Sequence, residues 1–156
     1  MEKFKTIRIA ADHHQVHSEI MIAAPKAAVW RVVTDFAAMP LWSPSFKGIT
    51  GEVKDGARVT THFDIGEGVE DYTATMRVIE GEQYGWSEDY DGIQDNHIYC
   101  VEAAGEAHTK FTQTDAFKGT ADWANTADLA AFYLDQYVAF NRALKAECER
   151  RYATAV

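Results

Sequence analysis

Three alternating stretches place reactive side chains among aromatic ones. Tyr84, Trp86, Glu88 and Tyr90 share one face of a strand, with Gly85, Ser87 and Asp89 on the other. Turned inward, that face carries Glu88 among aromatic rings, where desolvation raises a carboxyl pKa and suits it to general acid/base work. The plainer reading leaves Glu88 near solvent at the strand end, or paired with His97 or Arg77. His97, Tyr99 and Val101 share a second face, so His97 is either a hydrogen-bonded structural residue or a group that meets a ligand carbonyl or takes a proton. On a third, Phe111, Gln113, Asp115 and Phe117 set two polar groups between two aromatics. Buried polar groups need partners, so Gln113 and Asp115 bond protein neighbours or a polar ligand atom.

The elements that must hold these residues follow from a change of rhythm along the chain. Val16 to Ala24 alternates as a half-buried strand, and Pro25 opens a helix running to about Phe36, with Val29, Val32 and Val33 on one face. Pro40 and Pro44 stop its continuation and predict a loop or a second short helical turn. Residues 1–15 read either as a loose arm or as an extra edge strand. From residue 54 onward, turn signals recur about every ten residues: Lys54-Asp55-Gly56, Gly66-Glu67-Gly68, Gly81-Glu82, Asp91-Gly92 and Ala104-Gly105-Glu106. The runs between them, 57–65, 72–79, 84–90, 97–102 and 109–117, predict an antiparallel meander of hairpins. The period then lengthens to that of a helix over about 125–152, with Leu129, Tyr133, Tyr137, Phe140, Leu144 and Cys148 on one stripe. Asn125 and Asp128 have the spacing of an N-cap and its capping-box partner.

Composition narrows the partners. A formal net charge of −9 with no basic run argues against nucleic acid and anionic membrane surfaces. No apolar stretch has membrane-spanning length, so membrane insertion is not expected, and a cytoplasmic location fits. Cys100 and Cys148 lack redox or metal spacing and read as free, buried thiols in a reducing compartment. His13, His14 and His17 lack a matching thiol or carboxylate cluster, and Asp89-x-Asp91-Gly92-x-x-Asp95 lacks the third alternating ligand and the closing Glu of a calcium loop. No metal or cofactor is assigned, and the second motif reads as a hairpin with a solvated acidic tip. Phosphate-binding loops, nucleophile elbows and Cys/His nucleophile pairs are absent from the sequence. Trp30 and Trp42 read as packing residues for the first helix and its loop. At 156 residues the chain fits one domain spanning 1–156.

The order of elements, with Ala24-Pro25-x-x-x-Val29-Trp30, Thr34-Asp35-Phe36, Trp42-Ser43-Pro44, His97, the run Phe111 to Gly119 and Phe140-Asn141-Arg142-Ala143-Leu144-Lys145, resembles the START/Bet v 1-like (SRPBCC, polyketide cyclase/dehydrase and lipid transport) superfamily over about residues 16–152. The resemblance implies an α+β helix-grip fold: a curved antiparallel sheet of about seven strands around a long C-terminal helix, with one or two short helices after the first strand. It implies a hydrophobic cavity between sheet and helix. Tyr72, Met76, Trp86, Glu88, Tyr90, His97, Tyr99, Phe111, Gln113 and Phe117 would face that cavity from the sheet, with Ala74 making room. Tyr133, Tyr137 and Phe140 would form its helix wall. Thr114-Asp115 stands where relatives carry Ser-Glu, and Thr120-Ala121 where they carry an apolar pair, which leaves Trp123 as the candidate cavity mouth.

Fold transfers a binding mode more readily than a reaction. The leading expectation is therefore binding of a small hydrophobic molecule: a lipid, polyketide, quinone or aromatic metabolite. The alternative is a polyketide cyclase or dehydratase using Glu88, His97 or Asp115 as acid/base, recognisable if two of them converge on one cavity space. A third is a protein-interaction or chaperone-accessory module, disfavoured by the polar outward sets Thr73/Thr75/Arg77 and Lys110/Thr112/Thr114. The sequence leaves a homodimer open.

Overall fold

The computed structural model describes residues 2–155. Its elements are β1 (Glu2–Ala10), β2 (His13–Ile22), α1 (Lys26–Val33), a 3-10 turn (Met39–Leu41), β3 (Phe46–Thr50), β4 (Arg58–Asp64), β5 (Val69–Ile79), β6 (Gln83–Tyr90), β7 (Ile93–Ala103), β8 (Thr109–Gly119) and α2 (Thr126–Ala155). The strands form one curved antiparallel sheet in the order β1-β2-β8-β7-β6-β5-β4-β3, and α2 packs against β2 and β8. This is the helix-grip arrangement. Against about seven strands expected, there are eight, and two lie outside the runs read from the sequence: β3 (46–50), and β1, where residues 2–10 take the edge-strand alternative, pairing antiparallel with β2. The β1–β2 hairpin moves the two short helical elements to follow the second strand, which begins at His13 rather than Val16. No helix among the described residues is long and apolar enough to cross a membrane.

Local chemistry accounts for the helix ends. Pro25, extended at φ −62° and ψ 151°, has no N–H to leave unpaired, and its carbonyl accepts the N–H groups of Ala28 and Val29. The helix stops at Val33, three residues earlier than expected, because the Thr34 hydroxyl donates to the Trp30 carbonyl at 2.6 Å and the chain turns. At the start of α2, the Asn125 Oδ1 accepts the Asp128 N–H at 3.1 Å, while its Nδ2 donates to the Asp128 carboxylate at 2.9 Å. That is the expected cap.

Packing divides the inner face of the sheet into two ends. At the closed end, Val29 and Val33 of α1, Phe46 of β3, Tyr84 of β6, Tyr99 of β7, Phe111 of β8 and Phe140 and Leu144 of α2 interlock in one buried cluster. Phe46 stacks on Tyr99 and on Phe63, and the buried Tyr84 hydroxyl donates to the Val33 carbonyl at 3.1 Å. Trp30 meets Tyr84 edge-on and Trp42 lies over Phe140, so both pack as expected. The second cluster, at the other end, is smaller: Val16, Ile93, Phe117, Ala130 and Tyr137. Cys148 is buried but Cys100, expected to be buried, is only half so; both are free.

Two glycines matter to the site. A Cβ on Gly85 would lie 2.1 Å from the His97 carbonyl oxygen, so Gly85 permits the close β6–β7 approach that sets His97. Gly92, at φ +77°, follows Asp91 in the β6–β7 turn, and Trp123 lies against it.

Candidate functional site

The open end of the sheet encloses a cavity of about 260 Å³ between β4–β8 and α2. It exists because two neighbouring strands part. β5 pairs with β6 only from Thr75↔Ser87 to Ile79↔Gln83, whereas β5 stays on β4 as far as Val69 and β6 stays on β7 as far as Tyr90. The unpaired stretches, 69–74 of β5 and 88–90 of β6, flank the cleft, and Tyr72 and Tyr90 face each other across it with ring centroids 6.1 Å apart. Glu88 sits at the fork. Its Oε1 accepts the Thr75 N–H that the ladder no longer uses, at 3.0 Å, and the Arg58 guanidinium at 2.6 Å.

The cavity floor is polar. His97 lies directly across from Asp115 in the β7–β8 register, and Asp95 precedes His97 by two residues on the same inner face. Asp95 is 8% exposed, His97 2% and Asp115 1%. The His97 ring is stacked on Tyr99 and flanked by Trp86 and Tyr137, which fixes its plane. From α2, the Tyr137 hydroxyl donates to Asp115 Oδ2 and Asn141 meets Gln113. Strand and helix spacings match here: two residues of strand cover about 6.6 Å and one turn of helix about 5.4–6 Å, so Asp115/Gln113 and Tyr137/Asn141 fall in register.

One hydrogen-bond chain sets the protons. The Ser18 hydroxyl donates to the Gln113 backbone carbonyl, which can only accept, at 2.8 Å. Ser18 Oγ therefore accepts from Asn141 Nδ2, Asn141 Oδ1 from Gln113 Nε2, and Gln113 Oε1 from His97 Nε2, each at 2.8 Å. His97 is thus protonated at Nε2. Its Nδ1 carries a lone pair, 3.5 Å from Asp115 Oδ2. Burial drives the imidazole pKa down to about 3, so the ring is neutral and the Asp115 contact is not an ion pair.

The two aspartates behave as a pair. Burial pushes Asp95 up to about 6, and burial together with the neighbouring Asp95 pushes Asp115 well above the usual carboxylate range. Neither Oδ1 meets an N–H or O–H donor of the protein. A proton shared between the carboxyls is what this leaves, so near neutral pH the pair carries about one negative charge. Burial likewise raises the Tyr133 phenol to about 12, and burial raises Tyr90 as well, so both line the wall as neutral phenols.

The expected site residues separate cleanly by position. Tyr72, Trp86, Glu88, Tyr90, His97, Asp115, Phe117, Tyr133 and Tyr137 line the cavity, as does Ala74. Met76, Tyr99, Phe111, Gln113 and Phe140 do not; they lie towards the closed end, and Gln113 acts through His97. Of the three acid/base candidates, His97 and Asp115 converge, while Glu88, although it lines the cavity, is engaged by Arg58 rather than by His97 or Arg77. Trp123 is 64% exposed and packs on Gly92 away from the cavity lining, so it does not form the mouth. Asp95 overturns the reading of a solvated acidic tip: Asp91 is exposed in the turn, but Asp95 lies inside the strand and faces the floor. Its signal was the alternation itself, since Ile93, Asp95, His97, Tyr99 and Val101 extend one inner face by two steps. Phe63, Glu70 and Asp71 also line the cavity: Phe63 had no sequence signal beyond membership of the 57–65 run, and Glu70 and Asp71 precede the expected 72–79 run, since β5 starts at Val69.

The model of the family described as polyketide cyclase/dehydrase and lipid transport matches residues 13–149. Among solved structures, the chain is similar to the Zhui aromatase/cyclase from Streptomyces sp. R1128, with a TM-score of 0.71 and 19% identity, covering 89% of this chain and 95% of that one. It is similar to a START superfamily protein from Mycobacterium smegmatis, with a TM-score of 0.69, 16% identity and coverage of 91% and 99%. The ginseng major latex-like protein 151 from Panax ginseng gives 0.68, 13%, and 87% and 97%. Identities this low establish the fold alone. No curated protein sequence matches the chain significantly.

Proposed function

The chain belongs to the polyketide cyclase/dehydrase and lipid transport family, and from that premise we propose that it holds a small, largely apolar ring-bearing molecule at the open end, its polar end against Asp95, His97 and Asp115. The observation that carries this reading is the aromatic inner face continuing around a hollow of about 260 Å³ instead of closing on itself. That space exceeds the ~150 Å³ that accommodates a single benzene ring. It suits a compact one- or two-ring body better than an extended acyl chain. Tyr72, Trp86, Tyr90, Phe117 and Tyr133 offer ring faces and edges for it.

The reading is tested by a panel of naphthoquinones, flavonoid-type polyphenols and fatty acids, followed by thermal shift and by the fluorescence of Trp86 against a Trp86→Phe control. Ring-bearing members raising the melting temperature and quenching the Trp86 component would support it. A panel without any response would overturn it.

One observation favours a second reading, acid/base catalysis of a cyclisation or dehydration. His97 Nδ1 presents a lone pair to Asp115 at 3.5 Å beside a second carboxyl, which puts a proton donor and an acceptor together on one buried floor. In such a step an ionised Asp95 takes a proton from a carbon next to a carbonyl while the protonated Asp115 gives one to the carbonyl oxygen, leaving the pair's proton count unchanged. Turnover of a poly-β-carbonyl model compound that is lost in Asp115→Asn with binding retained distinguishes it from binding alone.

A further inference from the structure

The cavity has an uncompensated charge. Among the described residues Glu70, Asp71, Glu88, Asp89, Asp95 and Asp115 line it, and no lysine or arginine does. Two of these acids have a cationic or imidazole partner turned away from the floor: Glu88 has Arg58 and Asp71 has His62. The floor does not. Among the described residues neither Asp95 nor Asp115 pairs with Lys or Arg, and the one basic side chain beside them, His97, is neutral and offers a lone pair instead of an N–H. Both Oδ1 atoms are buried without a donor. A carboxyl pair left with one negative charge in an apolar surrounding is costly unless something cationic and hydrogen-bonding meets it.

Above the floor the walls are aromatic. Phe117 and Tyr133 stack at 5.5 Å, Tyr133 and Tyr137 at 5.7 Å, and Tyr72 faces Tyr90 across the cleft. Ring faces attract cations through their quadrupoles, and most strongly when water is excluded. The protein's net charge of −9 adds a field that draws cations towards it.

We propose that the ligand is a small organic monocation bearing N–H donors, a primary or secondary ammonium on an aromatic body, with its nitrogen between Asp95 and Asp115 and its ring against Trp86 and the tyrosines. This rests on the ligand-cavity reading above and adds the charge to it. A single positive charge matches the one negative charge of the floor, and N–H groups supply donors beyond the single proton that the two carboxyls share. An anion would face six carboxyl groups, and a neutral alcohol would bring one donor and no charge.

Three compounds of one shape test it: 2-(1-naphthyl)ethylamine, 2-(1-naphthyl)ethanol and 1-naphthylacetate, titrated calorimetrically into the full chain near pH 7. The amine is expected to bind about tenfold more tightly than the alcohol, with the acetate weakest. Asp95→Asn is expected to remove the amine's advantage over the alcohol, and Asp115→Asn, whose fold is checked by melting, serves as the second variant. An alcohol that binds as well as the amine, an acetate that binds better, or an Asp95→Asn protein that keeps the amine preference overturns the cation proposal and leaves the cavity reading standing. Binding by none of the three overturns both.

Discussion

The closed and open ends of this sheet are built on the same strands with the same alternation, yet one end is solid and the other hollow. β6, β7 and β8 each run through both, passing from Tyr84, Tyr99 and Phe111 into Trp86, His97 and Asp115 with every second residue facing inward. The closed end has α1 and β3 in addition to α2, and Phe46 alone contacts rings from β4, β6, β7 and α2. The open end has only α2 above it, and β5 leaves β6 there. The lesson is that inward alternation decides which side chains face the interior, but the covering elements decide whether they meet each other or a space. Polar residues then mark the boundary: Gln113, Asn141 and Ser18 separate the ends and hold His97 in one protonation state.

Replacing a ring at the closed end should break stability and spare the site. Phe111→Ala, at a fully buried position that contacts Tyr99 and Phe140, is expected to cost about 3–5 kcal/mol in urea denaturation while a ring-bearing ligand keeps its affinity. A large loss of affinity at equal folded fraction would mean that the ends are not separate.

At the open end the expected signature is a dependence on pH. The folded-state pKa of Asp95, about 6, lies above its ordinary 3.8, so its stabilising contribution is complete below the ordinary value and is lost as pH rises through about 6. Asp95→Asn should therefore gain stability relative to the parent between about pH 4 and pH 7, by on the order of 2 kcal/mol. His97 has the opposite sign. Its folded value of about 3 lies below the ordinary 6.5, so its contribution is present above 6.5 and is lost as pH falls towards 3. His97→Gln should gain on the parent as the solution is acidified, and since the two slopes oppose each other between about pH 4 and 6, only the variants reveal them. Denaturation midpoints across that range check both signs.

The smallest effect is expected at the roof of the cavity. Asn125→Ala removes the α2 cap and should cost about 1 kcal/mol in the same denaturation assay, with ligand affinity falling only if the first turns of α2, which carry Tyr133, position the wall.

Much of this was legible in the sequence because it rests on local chemistry. Period-two runs bounded by glycine turns yield strands, Asn125-x-x-Asp128 yields the start of α2, and the inward faces of β6 and β8 follow directly. Three features depend on contacts between distant residues and were not legible. Residues 2–10 alternate too weakly to distinguish an arm from a strand until β2 offers a partner edge. Asp95 adjoins a turn-like acidic motif that masks the alternation running back to Ile93, and the β7–β8 register, reaching Ile93↔Gly119, decides that the strand starts before it. The fork between β5 and β6 has no residue signature, so Met76, Tyr99, Phe111 and Phe140 could not be told from true wall residues on the same faces.

Chemical-shift mapping with isotopically labelled protein and the tightest-binding naphthyl compound tests the division most directly. The account predicts that saturation moves the backbone amides of Thr73, Ala74, Asp89, Tyr90, Asp95 and His97, and leaves those of Val33, Phe46 and Phe111 in place. Shifts concentrated at Val33, Phe46 and Phe111, or spread evenly over both ends, would contradict it.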